Sequence, residues 1–505
     1  MQLKNISEMR KRTYICLVLV ALLSACYDDG RILANPSVPE TTSGTTIKVD
    51  FSDSGLPVLD IKRGYILRDA ISSSNSKIKS DLQAYADMGM QLVALPKDLN
   101  QFDANWTSNP QGDYFRSYRS IGSQYFGGNG EKEEFSRNQD GGIDVHINSQ
   151  YLELCQMARD LGFQLIVQCS GVPVEGKNNG RVEHLFPLDS RRSFHGSARY
   201  YPLPATNNYD ANGTTIFEWM KLLHDKLGVS NTIYAGNQEP SHTTGYFNGT
   251  QTETATIQNL TVYPAIWRPT ANKLKNAGML SAVSQLNEVS GYYDASLQSI
   301  IEKGVPFDYY SIQNYMAQRN SKILADVKNA LVKYDIPLHK KVLFNRYDYG
   351  ATNKLKTNEE RFATAPGIIA FLESELILCD YADMVYGYCF FAGAQNYSMM
   401  NSVLTFLNSM PQARKRLSGI PEGLKYIASA DENKISIVLW NPGSEHYTFN
   451  LDTTSGVNTS TNLTVEKGTE SNLIRIIPAT SGSALKEIAG LRLNSQEFML
   501  ITIVF

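Results

Sequence analysis

The 505-residue sequence is short of several things, and each shortage removes a class of function. Lys and Arg number 47 against 50 Asp and Glu. No basic face follows from that balance, so nucleic acid is not an expected partner. Only 6 Cys and 7 His are present. They form no Cys-x-x-Cys pair and no His-Glu-x-x-His run, so a zinc site is not indicated. No Gly-x-Ser-x-Gly elbow marks a serine hydrolase. No Gly-rich phosphate loop follows the first strand, which argues against a doubly wound dinucleotide fold. Neither a metal nor an organic cofactor is expected. The apolar run Tyr14 to Leu23 is too short to span a bilayer. What is present is a chain with 42% hydrophobic residues and 28 Tyr against 4 Trp, too apolar to be disordered.

The N-terminus reads as a targeting segment. Lys4, Arg10, Lys11 and Arg12 precede the apolar run, which has the length of a signal-peptide core. The run ends in Leu23-Ser24-Ala25-Cys26, which resembles a bacterial lipobox. That resemblance implies removal of residues 1–25 and lipidation of Cys26. Asp28-Asp29 resembles the tag that sends Bacteroidetes lipoproteins to the outer face of the outer membrane. Loss of the leader removes four cations and Glu8, leaving a mature chain of about −6. Residues 26–45, with Pro36, Pro39 and Thr41-Thr42-Ser43-Gly44, read as lipid anchor and flexible tether.

From about residue 60 to 395 short β-rich runs alternate with amphipathic ones. The strands expected are Ile61–Ile66, Leu92–Leu95, Gln164–Gln168, Thr232–Gly236, Ser281–Leu286, Tyr309–Gln313, Lys341–Asn345 and Met384–Tyr388. Helical spacing is expected over Lys77–Met88, Gln150–Leu161, Ile216–Leu227, Ile266–Ala277, Ala295–Lys303, Lys322–Tyr334 and Asn358–Leu376. Gly162, Gly278 and Gly304 stand where three of these helices stop. Eight such units imply an α/β fold, a (β/α)8 TIM barrel over residues 46–415. Helical periodicity then vanishes. Residues 416–505 alternate between apolar and polar positions and carry turn signals, as an antiparallel β-sandwich does. The run 46–52 reads as a further strand of that sandwich. The four cysteines beyond Cys26 read as buried thiols.

In such a barrel, functional residues stand at the C-terminal strand ends. The fourth strand ends Gly236-Asn237-Gln238-Glu239-Pro240-Ser241-His242. This resembles clan A glycoside hydrolases, whose fourth strand ends Asn-Glu-Pro. The Gln-Glu-Pro variant with a terminal sandwich is similar to family 39 xylosidases and, more loosely, family 86 agarases. The resemblance implies that Glu239 is the general acid/base. Asn237 and Gln238 would bind a sugar hydroxyl, and His242 would orient Glu239 or touch the ligand.

The same chemistry needs a second carboxylate. Retaining cleavage uses two carboxyl groups about 5–5.5 Å apart. The clan places its nucleophilic Glu at the end of the seventh strand, typically within Thr-Glu-Phe-Gly. Here that strand reads Lys341-Val342-Leu343-Phe344-Asn345-Arg346-Tyr347-Asp348-Tyr349-Gly350, and alignment on the apolar run puts Arg346 at the nucleophile's position. An Arg stays protonated and cannot attack an anomeric carbon. Three readings stand. Asp348, on the strand face of Arg346, supplies the carboxylate from a shifted position. Alternatively, the barrel has lost its chemistry and holds glycan, with Arg346 neutralising Glu239 or gripping an acidic sugar. Or the alignment is displaced toward Glu359 or Glu360, which open a helix where acidic residues are favoured anyway.

Much of the Tyr excess falls in the loops after the strands. Trp106, Tyr114, Tyr118 and Tyr125 follow the second, Tyr246 the fourth, and Tyr292 and Tyr293 the fifth. Tyr315 follows the sixth strand, where clan members place a residue beside the nucleophile. Aromatic faces stack on sugar rings, and Trp106 and Tyr315 are candidates to bind them. The expected partner is a polysaccharide or oligosaccharide. A catalytically silent barrel would hand glycan to a neighbouring uptake system.

Overall fold

Eight of the strands are apolar on both faces, which only a sheet covered on both sides can accommodate. The computed structural model describes residues 41–52, 54–67, 75–98, 134–170, 173–178, 181–187, 204–236, 253–287, 292–314, 320–347, 357–390, 396–452, 462–477 and 487–505.

The strands run in chain order from β1 (Thr41–Asp50), β2 (Lys62–Ile66) and β3 (Leu92–Asp98) to a hairpin, β4 (Phe135–Arg137) and β5 (Ile143–Val145). Next come β6 (Gln164–Ser170), a second hairpin of β7 (Val174–Asn178) and β8 (Arg181–His184), then β9 (Ile233–Gly236) and β10 (Leu280–Asn287). β11 (Tyr309–Asn314), β12 (Val342–Tyr347) and β13 (Val385–Phe390) follow. The last group is β14 (Arg416–Ser418), β15 (Lys425–Ala430), β16 (Lys434–Trp440), β17 (Tyr447–Asp452), β18 (Asn462–Thr469), β19 (Asn472–Ile477), β20 (Glu487–Leu493) and β21 (Phe498–Val504). The helices are α1 (Asn75–Asp87), α2 (Ser149–Asp160), α3 (Tyr209–Leu227), α4 (Glu253–Asn276), α5 (Tyr293–Glu302), α6 (Asn320–Lys333), α7 (Asn358–Phe362), α8 (Ala365–Asp380) and α9 (Ser398–Asn408).

The strands β2, β3, β6, β9, β10, β11, β12 and β13 close into a parallel barrel in that order. Alternation gives each strand two buried faces. Ile66, Leu92, Ala94, Ile166, Ile233, Ala235, Ala282, Leu343 and Cys389 fill the inside. Tyr65, Val93, Val167, Tyr234, Tyr310 and Phe344 face outward into the layer shared with the helices. Each fully buried side chain of this size contributes about 1.5–3 kcal/mol. Gly162 and Gly304 end α2 and α5 with φ of 86° and 62°, a conformation costly for any residue with a Cβ.

The helix expected over Asn358–Leu376 is two helices. Pro366 lacks an N–H and its ring would strike the carbonyl four residues back. The chain therefore breaks at Ala363 and restarts, with the Thr364 hydroxyl accepting the Gly367 N–H at 3.2 Å. α9, after the last barrel strand, was not expected at all.

The sandwich has two sheets, ordered β14-β1-β17-β20 and β15-β16-β21-β18-β19. β1 opens at Thr41, inside the stretch 26–45 read above as anchor and tether. It runs antiparallel to β14 but parallel to β17, so the sandwich is not purely antiparallel. The five-stranded sheet is apolar on both sides for a reason. Ile435, Ile437, Leu439, Ile501 and Ile503 face the other sheet, while Val438, Trp440, Phe498 and Leu500 join the barrel's outer core. Trp440 Nε1 donates to Glu373 Oε1 at 2.6 Å, and Lys425 Nζ donates to Glu373 Oε2 at 2.6 Å, which ties the sheet to α8.

Candidate functional site

All eight strands are parallel, so their C-terminal ends share one rim. β9 ends there at Gly236, directly before Asn237-Gln238-Glu239. The residue is glycine because Trp267, on α4, packs against the strand end. A Cβ at 236 would stand 2.4 Å from Trp267 Cε3. Gly236→Ala is therefore expected to cost about 1–3 kcal/mol and to displace the segment that carries Glu239. A thermal melt run beside a glycan assay reads both effects.

β11 ends in Gln313-Asn314, directly before Tyr315, and β12 ends in Arg346-Tyr347, directly before Asp348. The backbone of Arg346 pairs with that of Gln313. Asn237, Gln238, Glu239, His242, Tyr315, Asp348, Trp106 and Cys26 lie outside the described residues.

The end of β12 is irregular. Phe344 and Tyr347 both face outward although they are three positions apart. Strict alternation forbids that, and the pairing with β13 slips between them. Tyr347 is held outward from several sides. Its hydroxyl accepts from Asn320 Nδ2 at 2.7 Å and contacts the Ser374 hydroxyl. Its ring lies 4.8 Å from Tyr388 and meets Phe344 and Phe390 edge-on. The slip restarts the parity of the strand from Tyr347, an odd-numbered outward position.

The floor of the barrel mouth is polar. Gln168, Gln313 and Asn345 are fully buried, on the inner face one step above Ile166, Ser311 and Leu343. Sequence reasoning passed over Gln168 and Asn345 as functional groups. The signal was present, since each is a lone amide ending an apolar strand run.

The opposite end of the barrel is plugged. Lys62 Nζ donates to Gln164 Oε1 at 2.9 Å and to the Tyr386 hydroxyl at 2.7 Å, and it lies 4.7 Å over the Tyr386 ring. Tyr309 packs 4.6 Å from Tyr386. Burial, with Tyr386 beside it, pushes the Tyr309 hydroxyl above the ordinary phenol range.

Behind β2 and β13 lies a buried ion pair. Arg63 donates through Nε at 3.0 Å and Nη2 at 2.7 Å to Glu375 Oε2, and through Nη1 at 3.3 Å to Asn408 Oδ1. The Tyr388 hydroxyl donates to Glu375 Oε1. Burial disfavours the guanidinium charge, but Glu375 outweighs it and holds Arg63 above its usual pKa. Cys155, Cys169, Cys379 and Cys389 are buried and unbridged. Burial, then Glu375, pushes the Cys379 thiol up to about 12, which makes it inert. Among the described residues no cluster of His, Cys, Asp or Glu could hold a metal ion, and no helix is long and apolar enough to cross a membrane.

No family model and no curated protein matches the chain. Solved structures do. A glucosidase from Croceicoccus marinus has a TM-score of 0.55 at 11% identity, covering 91% of this chain and 99% of its own. The family 44 xyloglucanase of Paenibacillus polymyxa has a TM-score of 0.54 at 13% identity, over 91% and 99%. The catalytic domain of a GH30 xylanase C from Talaromyces cellulolyticus has a TM-score of 0.50 at 12% identity, over 91% and 100%. The chain has the fold of these glycoside hydrolases. In this fold the polar floor, the slipped strand and the end of β9 all lie at the C-terminal end of the barrel strands.

Proposed function

We propose that the protein is a surface-exposed lipoprotein, anchored in the outer membrane through Cys26, that hydrolyses O-glycosidic bonds in a polysaccharide. Glu239 acts as proton donor and then base, and Asp348 supplies the second carboxylate. Asn237, Gln238, His242, Tyr315 and Trp106 line the sugar site. The observation that carries the reading is the slip in β12. Tyr347, directly before Asp348 in the sequence, faces outward after the slip, which supports Asp348 as the second carboxylate. The Glu239-Pro240 motif, similar to family 39 and more loosely to family 86, supports the same assignment. The glycan-named structures above support a saccharide as ligand.

A second reading is favoured by one observation. Arg346 belongs to the rim end of β12, at the position where clan members carry the nucleophile. On that reading the barrel only captures glycan, for a neighbouring uptake complex.

The test is a panel of plant and algal polysaccharides, including xylan and xyloglucan, offered to the chain from residue 27 onward. Reducing ends and gel retardation are read together. New reducing ends support hydrolysis. Retardation without new ends supports capture, and neither signal on any glycan removes both readings.

A further inference from the structure

Asn345 is the extra residue of the slip in β12, since Ile312 pairs with Phe344 and Gln313 with Arg346. It is fully buried, and among the described residues neither Oδ1 nor Nδ2 has a hydrogen-bond partner. Ser311, on the adjacent strand, pairs in register with Leu343, two residues earlier. Its hydroxyl is likewise buried without a partner. Gln313 follows on the same inner face. A buried amide without a partner costs stability that an apolar side chain of the same shape would not. Leucine would therefore be the more stable choice at 345, as in the rest of the strand. A polar group retained against stability marks a place whose partner arrives from outside.

Among the described residues, Lys62, Gln164 and Tyr386 fill the N-terminal end of the barrel, which points to arrival from the C-terminal end. The chemistry of the partner follows from the amide, which offers one donor and one acceptor side by side. A hydroxyl matches both. A carboxylate or phosphate oxygen matches only Nδ2 and would face Oδ1 with like charge.

Building on the function proposed above, we propose that Asn345 is a hydrogen-bonding group at the base of the glycan site. It pairs with a sugar hydroxyl, directly or through one ordered water, when the cleft fills. The amide is uncommitted in the free protein because its bonds are made in the complex. The slip at this residue lets Tyr347 turn outward and anchor the strand to the helices.

The experiment is Asn345→Leu, with Asn345→Ala as a smaller second variant, each melted with and without glycan and run in the same polysaccharide gels. The expected result is a free-protein Tm raised by about 1–3 °C in Asn345→Leu. Retardation should weaken about tenfold in both variants, and the glycan-induced rise in Tm should shrink. Unchanged retardation in both variants, where the wild type is retarded, overturns the inference and leaves the proposed function standing. A lowered Tm in Asn345→Leu with unchanged glycan response also overturns it, because the amide then serves only the fold. A wild type that is retarded by no glycan and releases no reducing ends sinks the functional reading and this inference together.

Discussion

Glu239→Gln is expected to slow release of reducing ends by about 10²–10⁴-fold, the usual worth of a positioned general acid/base. Glycan retardation should stay near that of the wild type. Gln keeps the shape and one hydrogen-bonding oxygen but has no proton to give the leaving oxygen. The effect should depend on the leaving group. A substrate with an activated aryl leaving group, which departs without protonation, should recover much of its rate. A structural carboxylate at the end of β9 would produce neither pattern. Its loss would lower Tm and affect all substrates alike. The measurement is the rate on polysaccharide and on aryl glycoside for wild type and variant, with melts alongside.

The second large effect concerns stability. Glu375→Ala is expected to cost about 3–5 kcal/mol, because it leaves Arg63 charged and buried with no counter-ion. Arg63 would keep only the long contact to Asn408, and Tyr388 would lose its acceptor. The pair fastens α8 to β2 and β13, so the barrel seam between its first and last strands is where unfolding should start. Arg63→Met should be costly for the mirror reason. The double variant Arg63→Met with Glu375→Leu should recover most of the loss, since two apolar side chains of similar volume replace a costly desolvated pair. Urea melts of the three variants decide the point. Simple additivity of the two single losses would show that packing, and not uncompensated charge, sets the cost.

The barrel was legible because strands buried on both faces read as continuous apolar runs, and the helices between them carry glycine stops. All eight expected strands appear within a few residues of their expected ends. What the pattern does not carry is pairing over long separation. The parallel pairing of β1 with β17 joins segments about 400 residues apart, and nothing local specifies its direction. The hairpins β4–β5 and β7–β8 are short and polar, so no periodicity announces them. α9 starts without a side-chain cap, so the usual start signal is missing. At the site, Arg346 was recognisable as a departure from the clan pattern. The slip that gives it meaning was not, because a β-bulge depends on how Tyr347 packs against Asn320 and Ser374, residues remote in sequence. Asn345 was visible as a residue but its isolation was not, since burial without a partner is a property of the closed barrel.

Hydrolysis as proposed requires a second carboxylate at Asp348. The most direct measurement is a time course of reducing-end release from a polysaccharide that the protein retains, comparing wild type with Asp348→Asn. The wild type is expected to release ends steadily and the variant at least about 10²-fold more slowly, with retardation preserved. Equal rates in the two proteins, or retardation by a wild type that releases no ends at all, would contradict that mechanism.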